Sequence, residues 1–336
     1  MAERVRFRGR KVVGVAVGWL IGIGMTAFLL SGKDPDYGLA LFVLMPMLVG
    51  LTTTYIVATT GGHRFLPSAA HAGMALALVG ATMFLGGAEG GACLGMALLI
   101  LLVPLLIGCL IGYGISQWKK NNKKTPPYVW LLVVLLPPTA ADEVLHRDHA
   151  TRVSYSTSVD IAASPAVVWS EIEHIGTLPP ATDWLSKLGL ACPETAEIKG
   201  RRVGGERVCT LSTGVMRETI TAWQPGRRLA FNALETPPTM KELNPFGDPH
   251  PAHLQPKYFR IVSGEFLLEP LANGGTRLTR VTTYEHRLRP AFYWTLWSNL
   301  AASYAHQRVL GVVKGRAEVH GQAKLASRPG TRVTRT

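Results

Sequence analysis

Val159-Asp-Ile161-Ala-Ala-Ser164-Pro165-Ala-Val-Val-Trp169-Ser-Glu-Ile172 reads as the end of a strand turning into a helix. Upstream, from Arg152, the apolar residues Val153, Tyr155, Val159 and Ile161 keep the two-residue period of a half-buried strand about ten residues long. Ser164 is a good helix N-cap, and Pro165 suits the first helical position because its missing N–H would have had no partner there. The apolar residues up to Ile172 then give the helix a face to bury.

Downstream, Pro179-Pro180 precedes a second short helix expected over Ala181 to Leu190. A series of alternating segments follows, predicting strands at Glu194–Lys199, Arg207–Ser212, Met216–Trp223, Arg228–Leu234, Tyr258–Leu268 and Arg277–Glu285. Gly204-Gly205, Gly214, Pro225-Gly226 and Asn273-Gly274-Gly275 supply the turns, which is the spacing of an antiparallel meander. From near Pro290 the residues Trp294, Trp297, Leu300, Ala301, Tyr304, Val309, Val312 and Val313 recur at helical spacing, long enough to cross the whole sheet.

Before residue 141 the composition is different. Val12 to Gly32, Tyr37 to Gly62, Ala72 to Ala88 and Gly90 to Trp118 each approach or exceed the roughly 20 apolar residues that span a bilayer's hydrocarbon core. The first run is longer than a signal peptide's core and is followed by Lys33-Asp34, so it reads as a retained anchor. A fifth run, Pro126 to Ala141, is short. It either crosses the membrane or lies half-buried at its surface, kinked at Pro137-Pro138. The division predicted is residues 1–141 as a membrane region of four to five spans, 142–151 as a linker, 152–320 as a folded domain and 321–336 as a basic flexible tail.

Arg4, Arg6, Arg8, Arg10 and Lys11, then Arg64, then Lys119, Lys120, Lys123 and Lys124 fall on one side of the spans, against Lys33 on the other. The positive-inside rule therefore places the amino terminus in the cytoplasm, with the chain in an inner or plasma membrane. If Pro126–Ala141 crosses, the carboxy-terminal domain is extracytoplasmic, which the nearly cancelling charges of Asp142, Glu143, Arg147, Asp148 and Arg152 favour. Gly14, Gly18 and Gly22, and Gly108 and Gly112, recur every fourth residue and predict close helix packing. Glu89, beside Gly90-Gly91 in the shortest loop, reads as a solvated turn residue. No span carries the paired ionisable groups of a proton-coupled carrier.

One strand, two helices, six strands and a long last helix is an order that resembles the helix-grip fold of the START-like superfamily, which includes polyketide cyclases and dehydrases and lipid-transfer domains. Val159-Asp-Ile161 with Ser164-Pro165-Ala-Val-Val-Trp169 is similar to that superfamily's first strand and helix, and Gly274-Gly275-Thr276-Arg277-Leu278 to its last hairpin. The resemblance covers about residues 150–320. It implies an α+β domain with a curved antiparallel sheet around a long C-terminal helix, and a shared cavity rather than a shared catalytic set. Ala301, Ala302, Ser303 and Ala305 make one stretch of the last helix slim enough to leave room for an apolar ligand.

The 336-residue chain carries a formal net charge of +13. Anionic lipid headgroups are the simplest partner for a basic domain beside a membrane, and nucleic acid is not expected because no zinc spacing, recognition helix or aromatic-interleaved basic run accompanies the charge. Cys93 and Cys109 lie in apolar runs as small hydrophobes. Cys192 and Cys209 are expected to stay thiols, pairing being the alternative. No cofactor is expected, since the chain has no nucleophile elbow, phosphate-binding loop, dinucleotide fingerprint or zinc-hydrolase pair.

The segment Thr236-Pro-Pro-Thr-Met240-Lys-Glu242-Leu-Asn-Pro-Phe246-Gly-Asp-Pro-His250-Pro-Ala-His253-Leu-Gln-Pro256 is stiffened by prolines and has an apolar side. It reads as a lid over the cavity or a membrane-touching flap, with a rigid surface loop as the alternative. His250 and His253 have metal-ligand spacing but no third ligand, so no metal is expected, and His146 and His149 read as solvated. Met216, Glu218, Ile220, Phe231, Met240, Phe246, Glu265, Trp294, Trp297 and Ala301 are the candidate ligand contacts. Glu218 shares a face with Met216 and Ile220, which turns a carboxylate toward the apolar side, and with His306 or Tyr284 it is the candidate acid–base set. The function expected is a membrane-tethered module binding a lipid or other hydrophobic molecule. The alternatives are a cyclase- or dehydratase-like enzyme using the same cavity, and a protein-interaction domain.

Overall fold

A computed structural model describes residues 2–31, 35–59, 64–121, 149–246 and 251–326. The fifth apolar run Pro126–Ala141, most of the 142–151 linker, His146, His250 and residues 327–336 lie outside them. Two compact units result: Met1–Ala150 with Glu242–His253 and Arg287–Trp294, and Thr151–Lys241 with Leu254–His286 and Thr295–Thr336.

In the first unit, α1 (Ala2–Leu30) is followed by a π-helical turn (Ala40–Leu44) that runs into α2 (Met45–Thr59), then α3 (Phe65–Leu85) and α4 (Gly91–Asn121). All four contain stretches long and apolar enough to cross a membrane: Lys11–Leu30, Ala40–Thr59, Phe65–Leu85 and Gly91–Trp118. Phe28, Leu66, Leu99, Val103 and Leu110 are exposed on their outer faces. The recurring glycines sit at the contacts between helices. A Cβ on Gly18 would meet Thr53 of α2 and Ala75 of α3; one on Gly108 or Gly112 would run into the backbone of Met47 or Leu51. Close approach of this kind is what lets dispersion hold helices together where lipid removes the hydrophobic drive.

In the second unit, β1 (Thr151–Ile161) leads to α5 (Pro165–Glu173), β2 (Gly176–Thr177), α6 (Trp184–Lys187), β3 (Pro193–Lys199), β4 (Glu206–Leu211), β5 (Gly214–Gln224), β6 (Arg228–Ala233), β7 (Phe259–Pro270), β8 (Thr276–His286) and α7 (Ala291–Ala326). The strands form one antiparallel sheet in the order β1-β8-β7-β6-β5-β4-β3-β2, curled into a half-barrel. The core lies between its concave face and the helices: Val168, Trp169 and Ile172 of α5, Val309, Leu310, Val313 and Ala317 of α7, and Ile161, Ile220, Leu229, Phe231, Phe266 and Leu278 of the sheet.

Four local differences from the sequence reading have simple causes. Ser164 caps α5 by position, but its hydroxyl makes no cap bond; its carbonyl takes the N–H groups of Val167 and Val168. The helix expected over Ala181–Leu190 is a single turn, opened by Asp183 accepting the Ser186 N–H (3.0 Å) and closed at Gly189, whose φ of +87° only glycine adopts easily. Strand β2 is too short to show periodicity. Finally, α7 continues to Ala326, so Gly321–Ala326 is helix rather than tail.

Gly108→Val should overpack the α2–α4 contact at a cost of about 1–3 kcal/mol. It is expected to lower the melting temperature of the detergent-solubilised protein, whereas Gly24→Val, with nothing within 4 Å of its Cβ position, should leave that temperature nearly unchanged.

Candidate functional site

Strand parity builds the site. On β8 every second residue from Thr276 to His286 is buried, so Arg280, Thr282 and Tyr284 share the inner face with Leu278. On β5, Met216, Glu218 and Ile220 turn inward together, and the β4–β5 register sets Arg207 opposite Glu218 and Cys209 opposite Met216. These inward faces meet α7 at Ser298, Ala301, Ala302, Ala305, His306 and Val309. Between them is a cavity of about 90 Å³, also walled by Leu178, Leu190 and the strip Thr236–Thr239.

The polar groups around it form two sets. Arg207 and Glu218 are an ion pair, both almost wholly buried, and the Arg207 guanidinium also lies 4.5 Å from the centroid of the Phe231 ring. Arg280 is the second set. Its guanidinium stacks over Phe266 at 4.9 Å, yet Nε and Nη1 are buried without a hydrogen-bond partner, and no carboxylate among the described residues pairs with it. Burial and the neighbouring Arg207 charge bring its pKa down to about 10, so it stays cationic at neutral pH. Burial, assisted by Arg280, lowers His306 to about 3, which keeps the imidazole neutral between Thr282 (2.8 Å) and Thr157 (3.1 Å). Burial raises Tyr284 to about 12, and its hydroxyl donates to Asn299 Oδ1 at 2.7 Å.

Of the residues singled out in the sequence, Met216, Ala301, His306 and Tyr284 line this cavity. Glu218, Ile220 and Phe231 are buried in the adjoining core, and the structure does not bring Glu218 to His306 or Tyr284; Arg207 holds it instead. Met240 is buried in a bridge to Leu190, and Trp297 is half-buried on α7 away from the cavity lining. Glu265 faces outward and accepts from Arg228 Nε at 2.8 Å. The cause is a bulge between Ile261 and Ser263 on β7, which reverses the parity so that Gly264, Phe266 and Leu268 turn inward. Arg207 and Arg280 were missed. Arg280 stands four residues from Tyr284 on the same strand, so the alternation that points one inward points the other inward too.

Two further candidates belong to the first unit. Trp294 packs against Phe42 (centroids 5.1 Å) and lines an apolar cavity of about 460 Å³ among α1, α3, α4 and the π-helical turn. Phe246 is 59% exposed and meets Phe84 edge-on at 5.9 Å. The proline-rich segment is thus divided. Thr236–Thr239 wall the cavity of the sheet domain, while Glu242–His253 belong with the helices, where Asn244 donates to the carbonyls of Phe84 and Glu89 at 2.8 Å each. Glu89 is buried rather than solvated.

An antiparallel half-barrel closed by one long helix over a polar-tipped apolar cavity defines the helix-grip, START-like class. Residues 152–318 match the family described as polyketide cyclase / dehydrase and lipid transport, which supports the helix-grip domain. None of the curated proteins matches the chain. Among solved structures, a protein from Nitrosomonas europaea is similar at 12% identity, with 52% of this chain and 97% of that one covered and a TM-score of 0.31. Norcoclaurine synthase from Thalictrum flavum is similar at 13% identity (55% and 94% covered, TM-score 0.33), and a START superfamily protein from Mycobacterium smegmatis at 14% (50% and 98%, TM-score 0.32). The family match supports a domain that binds a hydrophobic ligand.

Glu218→Gln should leave Arg207 as an uncompensated buried charge and destabilise the protein by about 3–5 kcal/mol. Adding Arg207→Met should restore most of that loss, because the apolar replacement removes the stranded charge. Equilibrium unfolding of Glu218→Gln, Arg207→Met and the double variant against the parent checks the cycle.

Proposed function

We propose that this chain is an integral membrane protein whose helix-grip domain binds a lipid-like or other hydrophobic molecule with a carboxylate or carbonyl head, the head meeting Arg280. The observation that carries the reading is a buried guanidinium with no carboxylate partner among the described residues, in the wall of a mostly apolar cavity. Such a group is costly to keep in a core, and an anionic or strongly accepting oxygen is the chemistry that compensates it. A volume of about 90 Å³ is small beside the roughly 300–1,000 Å³ of typical ligand sites. Uptake therefore involves outward displacement of the Thr236–Thr239 strip, which gives up the two hydrogen bonds between the Thr236 hydroxyl and the Ile261 backbone (3.1 and 3.3 Å) and the bond from the Ala191 N–H to the Thr239 carbonyl (2.9 Å). The slim Ala301, Ala302 and Ala305 stretch then receives the apolar body.

The same reading places the amino terminus in the cytoplasm and the helix-grip domain outside. Support comes from the first unit. Arg289 donates its N–H to Tyr37 beyond α1, and Leu243 accepts the N–H of Gly91 at the start of α4. The α1–α2 and α3–α4 connections lie on the side opposite the start of α1 and the end of α4 when consecutive spans alternate. On this reading the chain leaves α4 on one side and supplies Glu242–His253 and Arg287–Trp294 on the other, with Pro126–Ala141, apolar in composition, as the fifth crossing.

Mass spectrometry of small molecules extracted from the purified full-length protein tests the ligand, with a long-chain fatty acid as the added probe. The parent is expected to retain such a species, Ala302→Trp to lose it by filling the cavity, and Arg280→Met to lose it while melting no lower than the parent. A parent that neither copurifies with nor takes up any acid- or carbonyl-headed amphiphile would overturn the reading. For topology, a cysteine introduced at the exposed Val203 should react with an impermeant maleimide in intact cells, and one at Arg4 only after lysis. The reverse pattern would place the domain in the cytoplasm.

A further inference from the structure

The first unit contains a second site that owes nothing to the helix-grip cavity. Glu89 ends the α3–α4 connection, Cys93 follows it by four residues in the first turn of α4, and His253 arrives from the far end of the proline-rich segment. One ligand atom from each lies within 4.8 Å of the others. Cys93 Sγ is 3.0 Å from His253 Nε2, and His253 Nδ1 is 3.8 Å from Glu89 Oε1. Donors on a tetrahedral ion with bonds of about 2.0–2.3 Å sit roughly 3.3–3.8 Å apart, and one ion takes a single ring nitrogen, so the His253 ring or the Glu89 carboxylate turns to bring all three donors onto it.

Burial makes the cluster informative. Glu89, Cys93, His253 and the adjoining Glu242 are 8, 7, 8 and 4% exposed. Glu242 Oε1 accepts the Cys93 backbone N–H at 3.1 Å, as a helix N-cap does. Glu89 Oε2, Glu242 Oε2 and His253 Nδ1 have no hydrogen-bond partner. Two carboxylates and an imidazole are thus withdrawn from water with polar atoms unsatisfied, and no lysine or arginine among the described residues pairs with either carboxylate. A cation satisfies what the protein leaves open. The surroundings hold the groups there: a side chain on Gly90 would collide with the Glu242 carboxylate, the two Asn244 bonds fix the segment on the α3–α4 connection, and the Tyr37 ring meets His253 edge-on at 4.8 Å.

The geometry points to a divalent transition-metal site of the zinc class, with Glu89, Cys93 and His253 as ligands, Glu242 orienting Cys93 from behind, and the remaining coordination position facing the 460 Å³ apolar cavity. The donor set argues the metal. Thiolate with imidazole and one carboxylate suits zinc or cobalt, whereas magnesium and calcium require oxygen throughout. The charges of Glu89 and a Cys93 thiolate balance a dication. All three ligands line the cavity and Glu242 does not, so the site is open on the cavity side, as three-ligand sites that bind a small molecule are. The ligand class that fits there is a hydrophobic molecule presenting one Lewis-basic oxygen.

The test uses the full-length protein in detergent, stripped of metal and titrated with cobalt(II). About one equivalent is expected, with the intense visible bands of a tetrahedral ion and a thiolate-to-cobalt charge-transfer band in the near ultraviolet. Cys93→Ser should abolish the charge-transfer band, Glu89→Gln and His253→Gln should weaken binding at least roughly tenfold, and Glu242→Gln should weaken it about 10–100-fold while keeping the band. Cys109→Ser, buried in the same helix but outside the cluster, should match the parent. Melting temperatures of the metal-free variants separate loss of a ligand from loss of the fold. A parent that binds no cobalt, or a Cys93→Ser protein that keeps the charge-transfer band, overturns the assignment.

Discussion

Charge withdrawn from water into the core is the constraint on which the sheet domain turns. Arg207 and Arg280 enter the space between the sheet and α7, and among the described residues one carboxylate, Glu218, pairs there, with Arg207. The Arg207–Glu218 pair is possible because adjacent antiparallel strands set the two residues directly opposite. The faces of Phe231 and Phe266 then cover the two guanidinium groups, a weaker compensation worth about 0.5–2 kcal/mol each. A core built only to be stable would use apolar residues here. One cation in excess, bordering the cavity, is the reason to read this core as a receptor.

The helical unit, whose four helices are long and apolar enough to cross a membrane, also gathers buried polar groups at one place. Its helices pack closely at Gly18, Gly50, Gly108 and Gly112, where an added Cβ would collide with a neighbouring helix. Glu89 and the start of α4 meet Glu242 and His253, contributed from far along the chain. Burial and the nearby Glu242 charge push Glu89 up to about 8, and burial pulls His253 down to about 4, because withdrawal from water disfavours the charged form of each. Each unit therefore joins an apolar cavity to a small polar end.

How much of this was legible can be judged residue by residue. The helix-grip order was readable because its signals are local: alternation in β1, Pro165 at the head of α5, turn glycines between strands, and the 3.6-residue period of α7. The inward set Met216, Glu218 and Ile220 followed from the same alternation. Glu265 was misjudged because a bulge inserts one residue, and a period of two turns one extra residue into the opposite face. Glu89 looked solvated because nothing near it in sequence buries it. What does so is Glu242–His253, some 150 residues later.

By itself, then, the sequence determined the elements: four runs too apolar and too long for anything but membrane-length helices, and a strand–helix–meander–helix order that admits one class of domain. These follow from backbone geometry and side-chain period, which act over a few residues. Tertiary structure alone decided which groups share a cavity. Arg280 was joined to the slim stretch of α7, and Cys93 to His253 across 160 positions, because the cost of burying unpaired charge is settled in three dimensions, where periodicity along the chain carries no information.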